Sequence, residues 1–142
     1  AHVTLSGGVA WVADTTAGVC AIDLSDPVNP KTLGTLDTPG GATRVTLDGD
    51  KLFVADTQAG LQIVDVTDAA QPSLLGSFDT AGGAADVAVA GDLAYIADTS
   101  AGLVVLDVSD PSAPKQVSSV ESPLGAERVV LSGSTAWIAD RR

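Results

Sequence analysis

The sequence has one cysteine, Cys20, one histidine, His2, and no methionine. A single cysteine cannot form a disulfide within the chain or supply a cysteine-based metal cluster. No apolar run approaches the roughly 20 residues that a helix needs to cross a membrane, so direct membrane insertion is not expected.

Basic residues are also scarce. Seven Lys and Arg stand against eighteen Asp and Glu, and the formal net charge is −11. Nucleic-acid binding needs a basic surface that replaces the counterions of phosphate, so this class of partner is not expected. The net charge indicates a protein surface whose charges repel one another. The excess of Asp over Lys favours a location outside the cytoplasm.

Aromatic residues make up only 4% of the chain, although 45% of its residues are hydrophobic. The apolar residues are mostly Val, Ala, Leu and Ile, and Gly and Asp interrupt them at short intervals. This composition favours strands joined by tight turns. No segment has a 3.6-residue apolar period, so no helix longer than one turn is predicted.

The sequence repeats itself without insertions. Recurring positions, each 42 residues apart, are Asp14, Asp56, Asp98 and Asp140; Asp23, Asp65 and Asp107; and Gly18, Gly60 and Gly102. Four strands are predicted in each unit, near residues 1–6, 9–14, 19–25 and 32–37 and again at each repeat. Two of the turns are predicted at 48–50, which reads Asp-Gly-Asp, and before Pro72.

A 42-residue unit of four strands has the spacing of a β-propeller blade. The second and third strands are nearly continuous apolar runs, as expected where each sheet packs between two others. We therefore predict an all-β fold of four-stranded antiparallel blades at about 1–41, 42–83 and 84–125, with a partial fourth at 126–142. Residues 1–142 would form one portion of a larger propeller, whose exposed ends are covered by its remaining blades or by another chain.

The third strands carry a resemblance to a known family. Residues 60–65 read Gly-Leu-Gln-Ile-Val-Asp and residues 102–107 read Gly-Leu-Val-Val-Leu-Asp, whereas residues 18–23 depart from the pattern. Val-Ala-Asp at 54–56 and Asp-Val-Ser-Asp-Pro at 107–111 fit as flanking segments. These segments resemble the LVIVD repeat, a propeller-type repeat of bacterial and archaeal surface or secreted proteins. The resemblance implies a fold and, loosely, a surface location, but no common activity.

The repeated aspartates suggest two chemistries. Calcium binding would need further oxygen ligands, and the Asp-Gly-Asp turn at 48–50 lacks the pattern of an EF-hand loop. Asp also caps turns by accepting hydrogen bonds from nearby backbone N–H groups. We predict that Asp14, Asp56 and Asp98 bond to loop amides, and that neither a metal nor a cofactor is required.

Catalysis within the chain is not expected. A Ser–His–Asp arrangement would have to use His2, and no serine lies in a Gly-x-Ser-x-Gly motif. The glycine pairs at 40–41 and 82–83 recur before the first strand of a unit, so tight-turn geometry is the predicted reason for them.

One position of the repeat varies between units, although the positions around it are constant. The residues at this position, which we call the variable column, are His2, Arg44, Asp86 and Arg128. A charged residue at this point of the innermost strand is not needed to build a sheet. Either these charges pair across the channel mouth, with Asp86 between Arg44 and Arg128, or they contact a ligand. Glu127, in the next column, belongs to the same candidate site.

Two other columns are of interest. The loop after the second strand varies, with Thr16, Gln58 and Ser100 at one position, and such loops commonly carry binding residues. The aromatic column is Trp11, Phe53, Tyr95 and Trp137. We expect it to fill the space between blades, with indole and phenol groups bonded to polar partners.

The leading functional hypothesis is a non-catalytic binding or scaffold module of a secreted or cell-surface protein, with a protein or another macromolecule as its partner. One alternative is an enzyme whose site at the channel mouth is completed by blades outside this chain. Another is a structural unit of a surface assembly or filament.

Overall fold

The computed structural model describes residues 1–140; Arg141 and Arg142, which belong to the predicted partial unit 126–142, lie outside the described residues. The described chain contains fourteen strands and no helix. In chain order the strands are β1 (His2–Ser6), β2 (Val9–Asp14), β3 (Gly18–Asp23), β4 (Lys31–Leu36), β5 (Ala42–Asp48), β6 (Lys51–Asp56), β7 (Gly60–Asp65), β8 (Ser73–Phe78), β9 (Ala84–Ala90), β10 (Leu93–Asp98), β11 (Gly102–Asp107), β12 (Lys115–Val120), β13 (Ala126–Ser132) and β14 (Thr135–Asp140).

The strands form three four-stranded antiparallel sheets and one two-stranded sheet, each hydrogen-bonded in chain order. We call them blades 1 to 4: β1–β4, β5–β8, β9–β12 and β13–β14. The predicted all-β propeller architecture is confirmed. Between residues 1 and 140, no helix has the length and apolar character required to cross a membrane.

The third strand of each unit ends earlier than predicted, at Asp23 in the first unit rather than at residue 25. The Asp23 carboxylate accepts a hydrogen bond from the Ser25 N–H at 2.8 Å, and the Leu24 N–H donates to the Gly8 carbonyl. These bonds turn the chain away from the sheet. Asp65 and Asp107 bond to Thr67 and Ser109 in the same way.

Blades pack face to face through apolar side chains. Trp11 of blade 1 is buried among residues of blade 2, including Val45 and Val54. Phe53 of blade 2 is buried in the same way against Val87 of blade 3. The same contact therefore joins successive blades, which explains the near-continuous apolar character of the second and third strands.

The first strands of neighbouring blades lie beside one another, because β1 contacts β5, β5 contacts β9 and β9 contacts β13. They are thus the innermost strands, as predicted. The fourth strands form the outer rim, and each carries a register shift where it pairs with the third strand. Such bulges discourage pairing with other chains at an exposed edge.

Candidate functional site

The variable column lies at one end of the innermost strands. His2, Arg44, Asp86 and Arg128 each sit opposite the alanine that precedes the last residue of the second strand: Ala13, Ala55, Ala97 and Ala139. The loop that carries Thr16, Gln58 or Ser100 starts at the same end. The sequence prediction that these charges share one end of the blades is confirmed.

Asp86 is the most buried member of the column and has a structural role. Its Oδ2 atom accepts a hydrogen bond from the backbone N–H of Val129 in blade 4 at 3.1 Å. Its Oδ1 atom accepts one from the N–H of Val87 at 3.0 Å. A buried carboxylate must be paired in this way, because burial without partners is costly. Asp86 therefore links the innermost strands of blades 3 and 4.

The predicted pairing of Asp86 between two arginines is half correct. The Arg44 Nε atom lies 3.8 Å from Asp86 Oδ1, and both side chains are largely buried. Within residues 1–140, however, Arg128 makes no ion pair with Asp86, and its side chain is exposed. The second carboxylate oxygen accepts a bond from the Val129 amide, and the Arg128 side chain is exposed to solvent.

Other side chains connect the innermost strands in the same manner. The Nδ1 atom of His2 accepts a hydrogen bond from the Val45 N–H at 3.4 Å, which places His2 in the role that Asp86 has two blades later. The Thr46 hydroxyl donates to the Val87 carbonyl at 2.7 Å. Thr43 donates to the carbonyl of Ala55 and contacts the Ala84 carbonyl of blade 3. The roles of the two threonines were not predictable from the sequence, because isolated Thr residues are ordinary in strands.

Burial raises the pKa of the Asp86 carboxyl above its usual value, since desolvation disfavours the charged form. Hydrogen bonds from the Val129 and Val87 amides oppose this shift only in part. Arg44 lies near the outer limit of ion-pair distance and does not reverse it. Asp86 is therefore a carboxylate whose ionisation the fold disfavours.

The repeated aspartates at the ends of the second strands form the fixed frame around this site. Asp56 is fully buried, and it accepts hydrogen bonds from the Gly40 N–H at 3.1 Å and the Gln58 N–H at 3.5 Å. Asp98 does the same with Gly82 and Ser100. Each carboxylate thus joins the loop that enters its blade to the loop between its second and third strands.

Asp14 is the simplest member of this set, because its carboxylate accepts bonds from the Thr16 amide and hydroxyl in the loop that directly follows it. The prediction that Asp14, Asp56 and Asp98 bind loop amides is confirmed. Burial tends to raise the pKa of Asp98, but its hydrogen bonds outweigh that effect and leave this pKa lowered. The Thr80 hydroxyl contributes to the lowering by proximity, although its geometry is outside that of a regular hydrogen bond.

The glycine pairs have a different origin from the one predicted. None of the glycines at 40, 41, 82 and 83 has a positive φ, so the turn does not require a left-handed residue. A Cβ atom on Gly40 would instead lie within 1.8 Å of Asp56 Oδ1, and one on Gly82 within 2.1 Å of Asp98 Oδ1. The first glycine of each pair is needed because the aspartate approaches its backbone closely.

The remaining candidate residues are exposed at the same end. Gln58 lies in the loop between β6 and β7, and Glu127 and Arg128 lie at the start of β13. Thr16 and Ser100 are exposed at the positions equivalent to Gln58. The structure therefore separates the candidates into two groups. His2, Arg44 and Asp86 bind neighbouring blades, whereas Gln58, Glu127 and Arg128 present their side chains to solvent.

Trp11, Phe53 and Tyr95 of the aromatic column pack into the apolar clusters between blades, as predicted, whereas Trp137 is 66% exposed and does not. The polar atoms of the column also differ from the prediction. Within residues 1–140, neither the Trp11 indole nor the Tyr95 hydroxyl donates a hydrogen bond to the protein. Trp11 lines a cavity of about 210 Å³ between blades 1 and 2, together with Ser6 and Leu47. Tyr95 lines the equivalent cavity of about 120 Å³ between blades 3 and 4.

Among residues 1–140, no three His, Cys, Asp or Glu side chains are grouped so that they could hold a metal ion. A family model described as LVIVD repeat matches the chain in three consecutive segments, residues 1–38, 39–80 and 81–122. Each segment contains one four-stranded blade. No curated protein sequence matches the chain.

Proposed function

The chain belongs to the LVIVD repeat family, and we propose that it is a non-catalytic binding module. Its contact surface would be the blade end that carries Gln58, Glu127 and Arg128. We also propose that the module works outside the cell or on its surface. Its partner would be a protein or another macromolecule.

The observation that carries this proposal is that positions constant in the repeat are buried and structural, whereas variable positions beside them are exposed. Asp56 and Asp98, which recur in the repeat, are fully buried and hold the loops in place. Gln58 and Arg128 vary between units and are exposed beside that frame. Variable side chains on loops fixed by a rigid scaffold are the usual arrangement of a recognition surface.

The charge of this end favours a polar partner surface. Arg128 offers a planar group with several donors, suited to carboxylates, and Gln58 offers both a donor and an acceptor. The His2, Arg44 and Asp86 side chains stiffen the base of the surface through their bonds between blades. A stiff contact surface loses less conformational entropy on binding.

The test is a selection of displayed random peptides on the immobilised chain. We expect enriched peptides whose binding is lost by the double variant Gln58→Ala/Arg128→Ala. The matched control is Gln71→Ala/Lys115→Ala, two exposed residues at the opposite end of the blades, which should leave binding unchanged. Equal binding to all three proteins would contradict the proposed surface.

The proposed location has its own experiment. The chain is strongly acidic, with a net charge of −11, and the repeat that it resembles occurs in secreted and surface proteins. An epitope placed in the exposed turn at Gly49 should be cleaved or labelled on intact cells that express the native gene. Labelling only after lysis would contradict an extracellular location.

A further inference from the structure

The cavity of about 210 Å³ between blades 1 and 2 lies at the blade end opposite the contact surface proposed above. Its wall has contributions from both blades: Ser6, Val9 and Trp11 from blade 1, and Leu47, Val66 and Ala69 from blade 2. Each of these blades has its four strands, β1–β4 and β5–β8. The cavity is therefore a feature of the contact between two complete blades.

Trp11 brings an unused hydrogen-bond donor to this cavity. The side chain is 3% exposed. In the part of the chain that the structure describes, its indole N–H donates no hydrogen bond. A buried Trp N–H usually has a partner, because a buried polar group without one is costly. A ligand with an acceptor atom would supply the bond that the protein does not make.

The remainder of the wall is largely apolar. Val9, Leu47 and Val66 are partly buried and pack against the core cluster that contains Trp11. The hydroxyl of Thr67, which also lines the cavity, donates to Asp65 Oδ1 at 2.6 Å, so it can act towards a ligand only as an acceptor. The wall thus suits an apolar body whose one acceptor atom lies at the Trp11 N–H.

The surroundings of the cavity are acidic. Asp48 and Asp50 lie at the β5–β6 turn on its rim, and Asp65 lies at the end of β7. Lys51 is paired with Asp50 at 2.8 Å and offsets only one of these charges. An anion would be repelled by the carboxylates, and a cation would meet the Trp11 N–H, which is a donor like itself. The arrangement therefore favours an uncharged ligand.

The contact between blades 2 and 3 differs at the equivalent positions. Phe53 stands in the place of Trp11 and has no polar hydrogen. Val108, the equivalent of Val66, is 6% exposed, whereas Val66 is only half-buried. The donor and the opening thus occur together between blades 1 and 2, and building a blade contact requires neither.

We propose that this cavity binds a small uncharged molecule that has an apolar ring and an acceptor oxygen. The oxygen accepts a hydrogen bond from the Trp11 indole N–H, and the ring packs against Leu47 and Val66. An apolar cavity of about 150 Å³ can hold benzene. The larger volume here, about 210 Å³, has room for a six-membered ring with a carbonyl oxygen. Cyclohexanone is such a molecule and serves as the probe.

The first experiment is a titration of the ¹⁵N-labelled chain with cyclohexanone, followed by NMR. The chain has two tryptophans and hence two indole N–H resonances. Trp137→Phe removes one of them and so identifies the resonance of Trp11. This resonance should shift with saturation at millimolar concentrations, as expected for a ligand of so few atoms. A resonance that does not move, or moves without saturation, would overturn the proposal.

Two variants copy the residues that blade 2 has at the same positions. Trp11→Phe removes the donor and should weaken cyclohexanone binding by about tenfold, as loss of a buried hydrogen bond does. Val9→Lys brings a charged side chain to the wall and should weaken binding as well. Trp137→Phe is the matched control and should bind like the wild type. The methyl resonances of Leu47 report binding in all variants, and circular dichroism melts verify that each is folded.

Two further probes separate the hydrogen bond and the charge from shape. Benzene has no acceptor oxygen, so the wild type and Trp11→Phe should bind it with similar affinity. Cyclohexanecarboxylate is the anionic analogue of the probe and should bind the wild type more weakly than cyclohexanone does. Equal affinity of the wild type and Trp11→Phe for cyclohexanone, or tighter binding of the carboxylate, would contradict the proposed ligand class.

Discussion

The carboxylate of Asp86 accepts a hydrogen bond at 3.1 Å from the backbone N–H of Val129, which lies 43 residues later in the next blade. His2 accepts the equivalent bond from Val45 at 3.4 Å. The innermost strands have one edge that no strand of their own sheet pairs with, and these bonds satisfy donors there. The variable column thus combines a structural role with its position at the proposed contact surface.

The first prediction concerns the pH dependence that Asp86 creates. Its folded-state pKa is raised by burial, so the stability that it contributes is fully present below the unfolded pKa and is lost as pH rises through the folded pKa. Asp86→Asn cannot ionise and keeps an oxygen for the Val129 amide. Relative to the wild type, the variant should therefore gain stability as pH rises from the ordinary carboxyl range. Urea denaturation at a series of pH values measures this, and parallel pH profiles would contradict it.

The second prediction separates the two arginines of the column. Arg44 is largely buried beside Asp86, whereas Arg128 is exposed. Arg44→Ala should lower the free energy of unfolding by about 1–2 kcal/mol, because it leaves a buried carboxylate with fewer partners. Arg128→Ala should change it by less than about 0.5 kcal/mol, as exposed substitutions usually do. Chemical denaturation of both variants measures the two losses, and equal losses would contradict the predicted difference between Arg44 and Arg128.

The third prediction concerns the aspartate frame. Asp56→Ala removes the acceptor of the Gly40 and Gln58 amides, and we expect a loss of about 1–2 kcal/mol, similar to the loss of a cap. Asp14→Ala is the natural comparison, because Asp14 is half-exposed and its carboxylate bonds to Thr16, two residues away in the same loop. It should lose less stability than Asp56→Ala in thermal and urea unfolding. The reverse order would mean that burial does not determine the contribution of this carboxylate.

The fourth prediction tests why glycine occupies position 40. Gly40→Ala would force a Cβ atom against Asp56 Oδ1, and relief of this overlap should cost about 1–3 kcal/mol. Gly41→Ala is the adjacent control, since the nearest atom to its Cβ would be Thr57 Oγ1 at 3.0 Å, the end of a side chain that can move. The melting temperature of the first variant should fall further. If both fell equally, backbone freedom rather than close approach would explain the pair.

Much of the fold could be predicted because a fixed repeat period can be read directly from the sequence. The recurrence of Asp14, Asp56 and Asp98 placed the turns, and alternation between them placed the strands within about two residues. The bond between Asp14 and the Thr16 amide is likewise local, since the partner lies two residues away. These features do not depend on what packs beside the blade.

The reason for the glycine pairs could not be predicted from neighbouring residues. A close approach to the Asp56 side chain, sixteen residues later, explains Gly40, and a turn motif does not reveal such an approach. The burial of the side chains in the variable column also depends on residues distant in the sequence. Asp86 is buried and Arg128 is exposed, although both occupy one repeat position, because the Val129 amide comes from the following blade.

Trp11 and Trp137 mark the same division most clearly. The sequence by itself determined that both are the aromatic residue of a second strand, with similar neighbours along the chain. Only the tertiary structure decided that Trp11 is 3% exposed and Trp137 66% exposed. Burial depends on whether another apolar surface lies against the side chain, and that surface comes from the next blade rather than from the strand itself.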